Sequence, residues 1–413
     1  MIDRPISETY LAPAFGQSGD YSTQAKTVEA VFCASIGPEL TLYHIDVEKI
    51  ALDKQSSILL PANIQYAWRH PRAPILYVAT SNGGPGIAGD GHYVSALRFG
   101  SKTATMQLHG PTQVLRSRPI HIGTDREGKY VLIAYNDPAD VTVHRISQDG
   151  SIGDEVKQQN AIDVGIFPHQ ILTIPSNSAA ILVTRGNDAV GLRPENPGAL
   201  KIFSFRDGHL QNKSTIAPDG GYGFGPRHID FHPTQPWIYV SLERQNKIQV
   251  YKLDNDTLDP QPLFTKDILS DPMHVRPKQF AGTVHIHPNG HHAYVANRGD
   301  AMTDFQGEQV DGRGENNIAV FAIDPMTGEP VLIQNVDTHG FHPRTFSVDP
   351  SGNMLVVANL TPRLVRDGDR TRMQPATLSA FRIGADGKLL FVRSYHVDTA
   401  ANTQFWSGVF ETS

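Results

Sequence analysis

One pattern recurs along the chain: an alternating apolar run, a Pro/Gly/Asn turn, and a second run rich in Tyr, Val, Ala and Ile. It is clearest at residues 227–244 (RHIDFHPTQPWIYVSLER), 283–299 (TVHIHPNGHHAYVANRG) and 344–360 (RTFSVDPSGNMLVVANL). Weaker copies begin at Gln65, Pro119 and His169. With Pro71, Arg126, Pro175, Pro233, Pro288 and Pro350 as turn anchors, the spacings are 55, 49, 58, 55 and 62 residues. A period of that length, made of short strands and tight turns, predicts propeller blades rather than a helical solenoid.

Most copies continue into a third alternating strand, as in Lys247–Asp254, Asn317–Asp324 and Leu378–Gly384. A fourth strand then leads to the next copy, which completes a four-stranded antiparallel blade. The segments 28–38 and 39–46 supply middle strands with no innermost strand before them, and 403–410 supplies an innermost strand with nothing after it. Joining them predicts a seventh blade that closes the ring and removes its open edges. The expected fold is therefore all-β, a seven-bladed propeller over residues 27–413 with an N-terminal extension at 1–26. A closed ring is expected to bury one continuous core between its blades.

Composition narrows the partners. A net charge of −6 gives no electrostatic case for nucleic acid. No run approaches membrane-spanning length, and the N-terminal residues lack the apolar stretch of a signal peptide. A lone cysteine, Cys33, cannot form an internal disulfide, so the cytoplasm is the expected compartment.

The repeats disagree with one another at two sets of positions. Six residues before the anchors stand Gln65, Ile120, His169, Arg227, Gly282 and Arg344; ten residues after them stand Ser81, Asn136, Arg185, Glu243, Arg298 and Leu360. A purely structural repeat fills such places with similar small or apolar residues. Here they gather His169, Arg185, Arg227, Glu243, Arg298 and Arg344 at one mouth of the channel. Arginine forks match carboxylate or phosphate oxygens, so the cluster predicts an anionic small molecule. His228, Asn359 and Gln65 lie in or beside these rings and are expected to touch it. Four long connections leave the same mouth, after Asn82, Arg185, Arg298 and Leu360, and are expected to shape a rim.

Other constellations carry less. His285 and His287 share a strand face, but His70-Pro71 and His232-Pro233 occupy the place of His287-Pro288, which favours a turn-stabilising role over a metal pair. No HExxH, EF-hand or paired-cysteine pattern occurs, so neither a metal nor a cofactor is expected. No GxSxG elbow occurs, and Ser407 has no base assignable to it.

The run GPRHIDFHP at 225–233 with Glu243 behind it, then HPNGHHAYVANRG and PRTFSVDPSG, resembles the lactonase family of seven-bladed propellers. That family includes the propeller-type 6-phosphogluconolactonases and the fungal 3-carboxy-cis,cis-muconate lactonizing enzymes. The resemblance is strongest over about 165–360 and looser over the first two blades; the rim loops are longer than in the compact phosphogluconolactonase pattern. The resemblance to its lactonizing branch implies a histidine, two arginines and a glutamate in the active site, which fall on His169, Arg227, Glu243 and Arg298. On this reading the chain is a hydrolase that opens a small anionic lactone bearing a sugar acid or carboxylate. His169 is a general base, Arg227 and Arg298 hold an oxyanion and the substrate's own carboxylate or phosphate, Glu243 orients them, and Arg344 and Arg185 are secondary anion contacts. Two further readings stand beside it. One is a cycloisomerase acting on a carboxymuconate-type acid with His169 as proton donor. The other is a non-catalytic module docking partners on aromatics such as Tyr66, Phe167, Phe224, Phe341 and Phe405.

Overall fold

A computed structural model of the protein describes residues 30–84, 86–100 and 105–411. The expected extension at 1–26, and the boundary at 27, lie outside the described residues. Seven antiparallel sheets carry the architecture, each ordered outward from a channel-lining strand. The innermost strands are Asn63–Arg69, Pro119–Thr124, Pro168–Thr173, Pro226–Phe231, Gln279–Ile286, Pro343–Val348 and Ser407–Glu411. They define blades one to seven in that order. The last blade joins Ser407–Glu411 to Ala30–Ile36, which pairs onward to Glu39–Asp46 and Ala51–Leu59, the closure expected from the sequence. Among the described residues no helix is long and apolar enough to cross a membrane.

The interior differs in one respect from the expected continuous core. Its buried apolar side chains fall into seven clusters, each shared by two neighbouring blades. Leu172, Ile181 and Ile202 of blade three, for example, pack on Ile229, Val240 and Tyr251 of blade four. A strand that is buried on both faces cannot alternate with polar residues, which is why Ile75–Ser81 and Tyr130–Asn136 are buried throughout.

Polar groups inside this interior are satisfied across blade boundaries. Tyr77, Tyr239 and Tyr294 stand at equivalent places and donate their hydroxyls to the carbonyls of Gly150, Gly328 and Gly387 in the next blade (2.9, 2.9 and 3.0 Å). His70, His232 and His287 reach Gly128, Gly290 and Gly352 of the next blade through Nε2, while Nδ1 accepts from the backbone of the histidine's own turn. These glycines have positive φ, and a Cβ on Gly352 would lie 2.4 Å from the His287 ring. The histidine before the turn proline therefore stabilises its own turn through Nδ1, as its recurrence in the sequence suggested, and through Nε2 it also latches one blade to the next.

Candidate active site

The site starts from a defect repeated in the strands. In the innermost strands of blades one, two, three, four and six, the pairing register skips one residue: Gln65, Ile120, His169, Arg227 and Arg344. In blade five it shifts between Ala281 and Val284, so that two residues face one. A bulge releases a side chain from strict alternation and re-aims it. The bulged positions are the first of the two sequence rings. In four blades a proline precedes the bulge, where a missing N–H costs little because the strand is just beginning. Before three of these prolines stand Phe167, Gly225 and His342, with φ of 57, 50 and 54°, a left-handed turn that drops the chain from the rim into the channel.

The result is a pocket of roughly 1100 Å³ at one mouth. Glu243, at the end of the second strand of blade four, is its electrostatic centre and is 4% exposed. Its Oε1 accepts from Arg227 Nη1 at 2.6 Å and from Arg298 Nη2; its Oε2 accepts from Arg185 Nη1 at 2.8 Å. Burial works against the Glu243 charge, but the guanidiniums of Arg227, Arg298 and Arg185 outweigh it and hold the carboxyl well below the usual range. Arg298 is fixed further by the Ala281 carbonyl (2.8 Å) and by His342 Nε2 (3.3 Å). His342 in turn faces Asp300 across 3.6 Å, and Asp300 also pairs with Arg363. Burial, only partly offset by Asp300, lowers the His342 pKa to about 4.

His169 shares this wall and is 5% exposed. Its Nδ1 is buried without a partner among the described residues, which leaves Nε2 as the nitrogen open to the pocket. Burial first, then the charge of Arg227, keeps its pKa well below 6.5, so the ring is neutral. Arg344 donates Nε to the Phe405 carbonyl (3.1 Å) and lies over the Phe405 ring at 3.5 Å; Arg185 lies over Phe167 at 4.9 Å. Two of the mouth aromatics, Phe167 and Phe405, thus each carry an arginine.

The structure brings His169, Arg185, Arg227, Glu243, Arg298 and Arg344 together on the pocket wall. It does not bring there three other residues expected to touch a ligand. Gln65 lies behind the wall and accepts from Arg118 Nε at 2.8 Å. His228 sits below His169 in the channel, ring centroids 5.1 Å apart. Asn359 is 0% exposed and donates to the Thr338 carbonyl and Thr377 Oγ1 (3.1 and 2.9 Å). Arg118 and His342, absent from the sequence set, do line the pocket. Both precede a proline at the mouth of an innermost strand, as Phe167 does, and that X-Pro signature could have identified them.

Two of the rim connections contain regular structure. Met302–Phe305 pairs with Glu308–Asp311, and Arg363–Asp367 with Arg370–Gln374. The two hairpins touch through Thr371 Oγ1 and Glu308 Oε2 (2.7 Å) and through Arg366 over Phe305 (4.4 Å). Residues 84 and 86–89, from the connection after Asn82, also line the pocket.

Known proteins agree with this architecture. A 6-phosphogluconolactonase of Bacillus subtilis is 25% identical over 348 residues, covering 82% of this chain and 90% of its own. A 6-phosphogluconolactonase of Formosa agariphila is 27% identical over 273 residues, covering 64% and 70%. The fold is shared with a periplasmic gluconolactonase of Pseudomonas aeruginosa (TM-score 0.66, 19% identity, 90% of this chain and 97% of that one). It is also shared with a Lactobacillus plantarum protein (TM-score 0.68, 19% identity, 92% and 98%). The family model described as lactonase, 7-bladed beta-propeller matches residues 30–366, and by that match the chain belongs to the seven-bladed β-propeller lactonase family.

Proposed function

We propose that the protein hydrolyses a small anionic lactone of the 6-phosphogluconolactone type in the pocket around Glu243. The observation that carries this reading is a neutral, buried His169 sharing one wall with three arginines clamped on a single carboxylate. The names of the curated relatives support it. The mechanism uses the His169 tautomer protonated on Nδ1, which presents the Nε2 lone pair to a water in the pocket. Attack of that water on the lactone carbonyl transfers a proton to Nε2 and charge to the carbonyl oxygen. Arg227 and Arg298, held by Glu243, supply the N–H donors for this oxyanion. Collapse breaks the ring C–O bond, and the departing alkoxide takes the proton back from His169. Glu243 acts as an orienting anion because its neighbours keep it ionised.

The same environment ranks hydrolysis above the cycloisomerase reading. A proton donor must hold its proton at working pH, and burial beside arginines strips His169 of it. We also place the activity in the cytoplasm, where the buried thiol of Cys33 stays reduced; cell fractionation tests this.

The test is proton release in weak buffer with 6-phosphogluconolactone, gluconolactone and a muconolactone, each against its spontaneous hydrolysis and with chelator present. Chelator-resistant acceleration of an anionic lactone is expected, and Arg227→Ala should lower kcat by about 10²–10³. Failure to accelerate any of the three sinks the hydrolase reading.

A further inference from the structure

Charge accounting around the pocket leaves a remainder. Seven arginines line it (Arg116, Arg118, Arg185, Arg227, Arg298, Arg344 and Arg363) against three acids, Asp137, Glu243 and Asp300. Glu243 answers Arg185, Arg227 and Arg298; Asp300 answers Arg363; Arg116 turns outward to Asp140 and Glu155. Arg118 and Arg344 ion-pair with no carboxylate among the described residues. Each is nevertheless fixed in place. Arg118 is tied through Nε to Gln65 Oε1, itself steadied by its own donation to the Asn63 carbonyl at 3.1 Å. Arg344 is tied through Nε to the Phe405 carbonyl and stacked on the Phe405 ring. The tethers use Nε alone, so the terminal nitrogens of both forks remain for a ligand. Burial first, then the charges of Arg227 and Arg298 with Arg118 adding to them, disfavours the Arg344 charge, a cost that a bound anion removes.

We propose that Arg118 and Arg344, the two pocket arginines without a carboxylate partner among the described residues, form a second anion subsite that selects substrates carrying a dianionic group away from the lactone carbonyl. This rests on the lactonase reading and adds to it a specificity residue, Arg118, and a positioning residue, Gln65. A phosphate monoester and a pair of carboxylates share the required chemistry: two negative charges and several acceptor oxygens for two planar forks. A neutral polyol tail leaves both guanidiniums unanswered. The Glu243-clamped trio meanwhile remains available for the oxyanion, so one pocket separates recognition from chemistry.

The experiment compares the wild type with Arg118→Met and Gln65→Ala on three substrates: 6-phosphogluconolactone, unphosphorylated gluconolactone and a dicarboxylated muconolactone. Arg118→Met should lower kcat/KM for the dianionic substrate by about 10- to 100-fold, while gluconolactone changes by less than about three-fold. Gln65→Ala should raise KM for the dianionic substrate and leave kcat near wild type, since the fork is present but untethered. Whichever dianionic lactone shows the loss identifies the group. Equal losses on charged and neutral lactones, or none, overturn the subsite and leave the hydrolase standing. If the wild type opens no lactone, the subsite is still read by thermal shift with inorganic phosphate and with malonate. Stabilisation present in wild type and lost in both Arg118→Met and Arg344→Met supports it, and stabilisation unchanged in the variants overturns it.

Discussion

Glu243→Gln isolates the one carboxylate that holds the site together. The substitution keeps the shape and removes the charge, so the Arg185, Arg227 and Arg298 guanidiniums lose their shared counter-ion. Local charge rises from +2 to +3, and the new amide aims donors at donors. Breaking a buried ion pair on one side costs about 3–5 kcal/mol, because the charge left behind has no partner. Unfolding entropy of about 2.1 cal/mol/K per residue over 413 residues gives roughly 0.9 kcal/mol/K, so the midpoint should fall by about 3–6 °C. Scanning calorimetry reads this directly. Inorganic phosphate should then raise the variant's midpoint more than the wild type's, since the ion can take the vacated counter-charge position. A variant that melts at or above wild type would mean that desolvating the carboxylate outweighs its attraction, and the account of Glu243 as organiser would be wrong.

Three other outcomes follow from the same geometry. Because His169 is held neutral, kcat/KM should stay flat on the acid side down through the ordinary histidine range; an acid limb with a midpoint at or above 6.5 refutes a neutral base. Folding also lowers the pKa of His121 (to about 3) and of His228, so below about pH 6.5 the unfolded chain binds protons that the folded chain refuses. Stability should therefore fall with acid by up to about 1.4 kcal/mol per pH unit for each such histidine, and His121→Leu should flatten the slope of midpoint against pH. Gly352→Ala forces a Cβ against His287 at a φ of +74° and should cost about 1–3 kcal/mol in denaturant unfolding, with lactone turnover retained at permissive temperature.

Much of this was readable from the repeat. The closing blade, the turn role of the His-Pro histidines and six of the nine candidate site residues follow from comparing equivalent places in successive hairpins; the reach of those histidines to the next blade does not. The same comparison shows why Asn359 misled. Asn297 occupies its place in the preceding blade, and both bind the connection arriving from the blade before: Asn297 donates to the Ile268 carbonyl as Asn359 does to that of Thr338. Agreement between repeats marks structure, and Asn359 agreed. Arg118 escaped notice for the opposite reason. Blade two places the apolar Ile120 at the ring position, where it lines the pocket, while Arg118 stands two residues earlier, ahead of Pro119 and outside both rings. The rim hairpins were read as loops because their residues are largely polar on both faces.

The seam of the seventh blade also sets when the pocket can exist. Ser407–Glu411 must find Ala30–Ile36 across nearly the whole chain, with Trp406 N donating to Ser35 Oγ 371 residues away. The stretch leading into that strand supplies Phe405, whose carbonyl and ring seat Arg344. A nascent chain still lacking these residues can hold six blades and the Glu243 cluster, yet it has an open sheet edge and an unseated arginine. Assembly of the ring and completion of its binding chemistry are thus a single late event, and no shortened product released before it would carry a finished site.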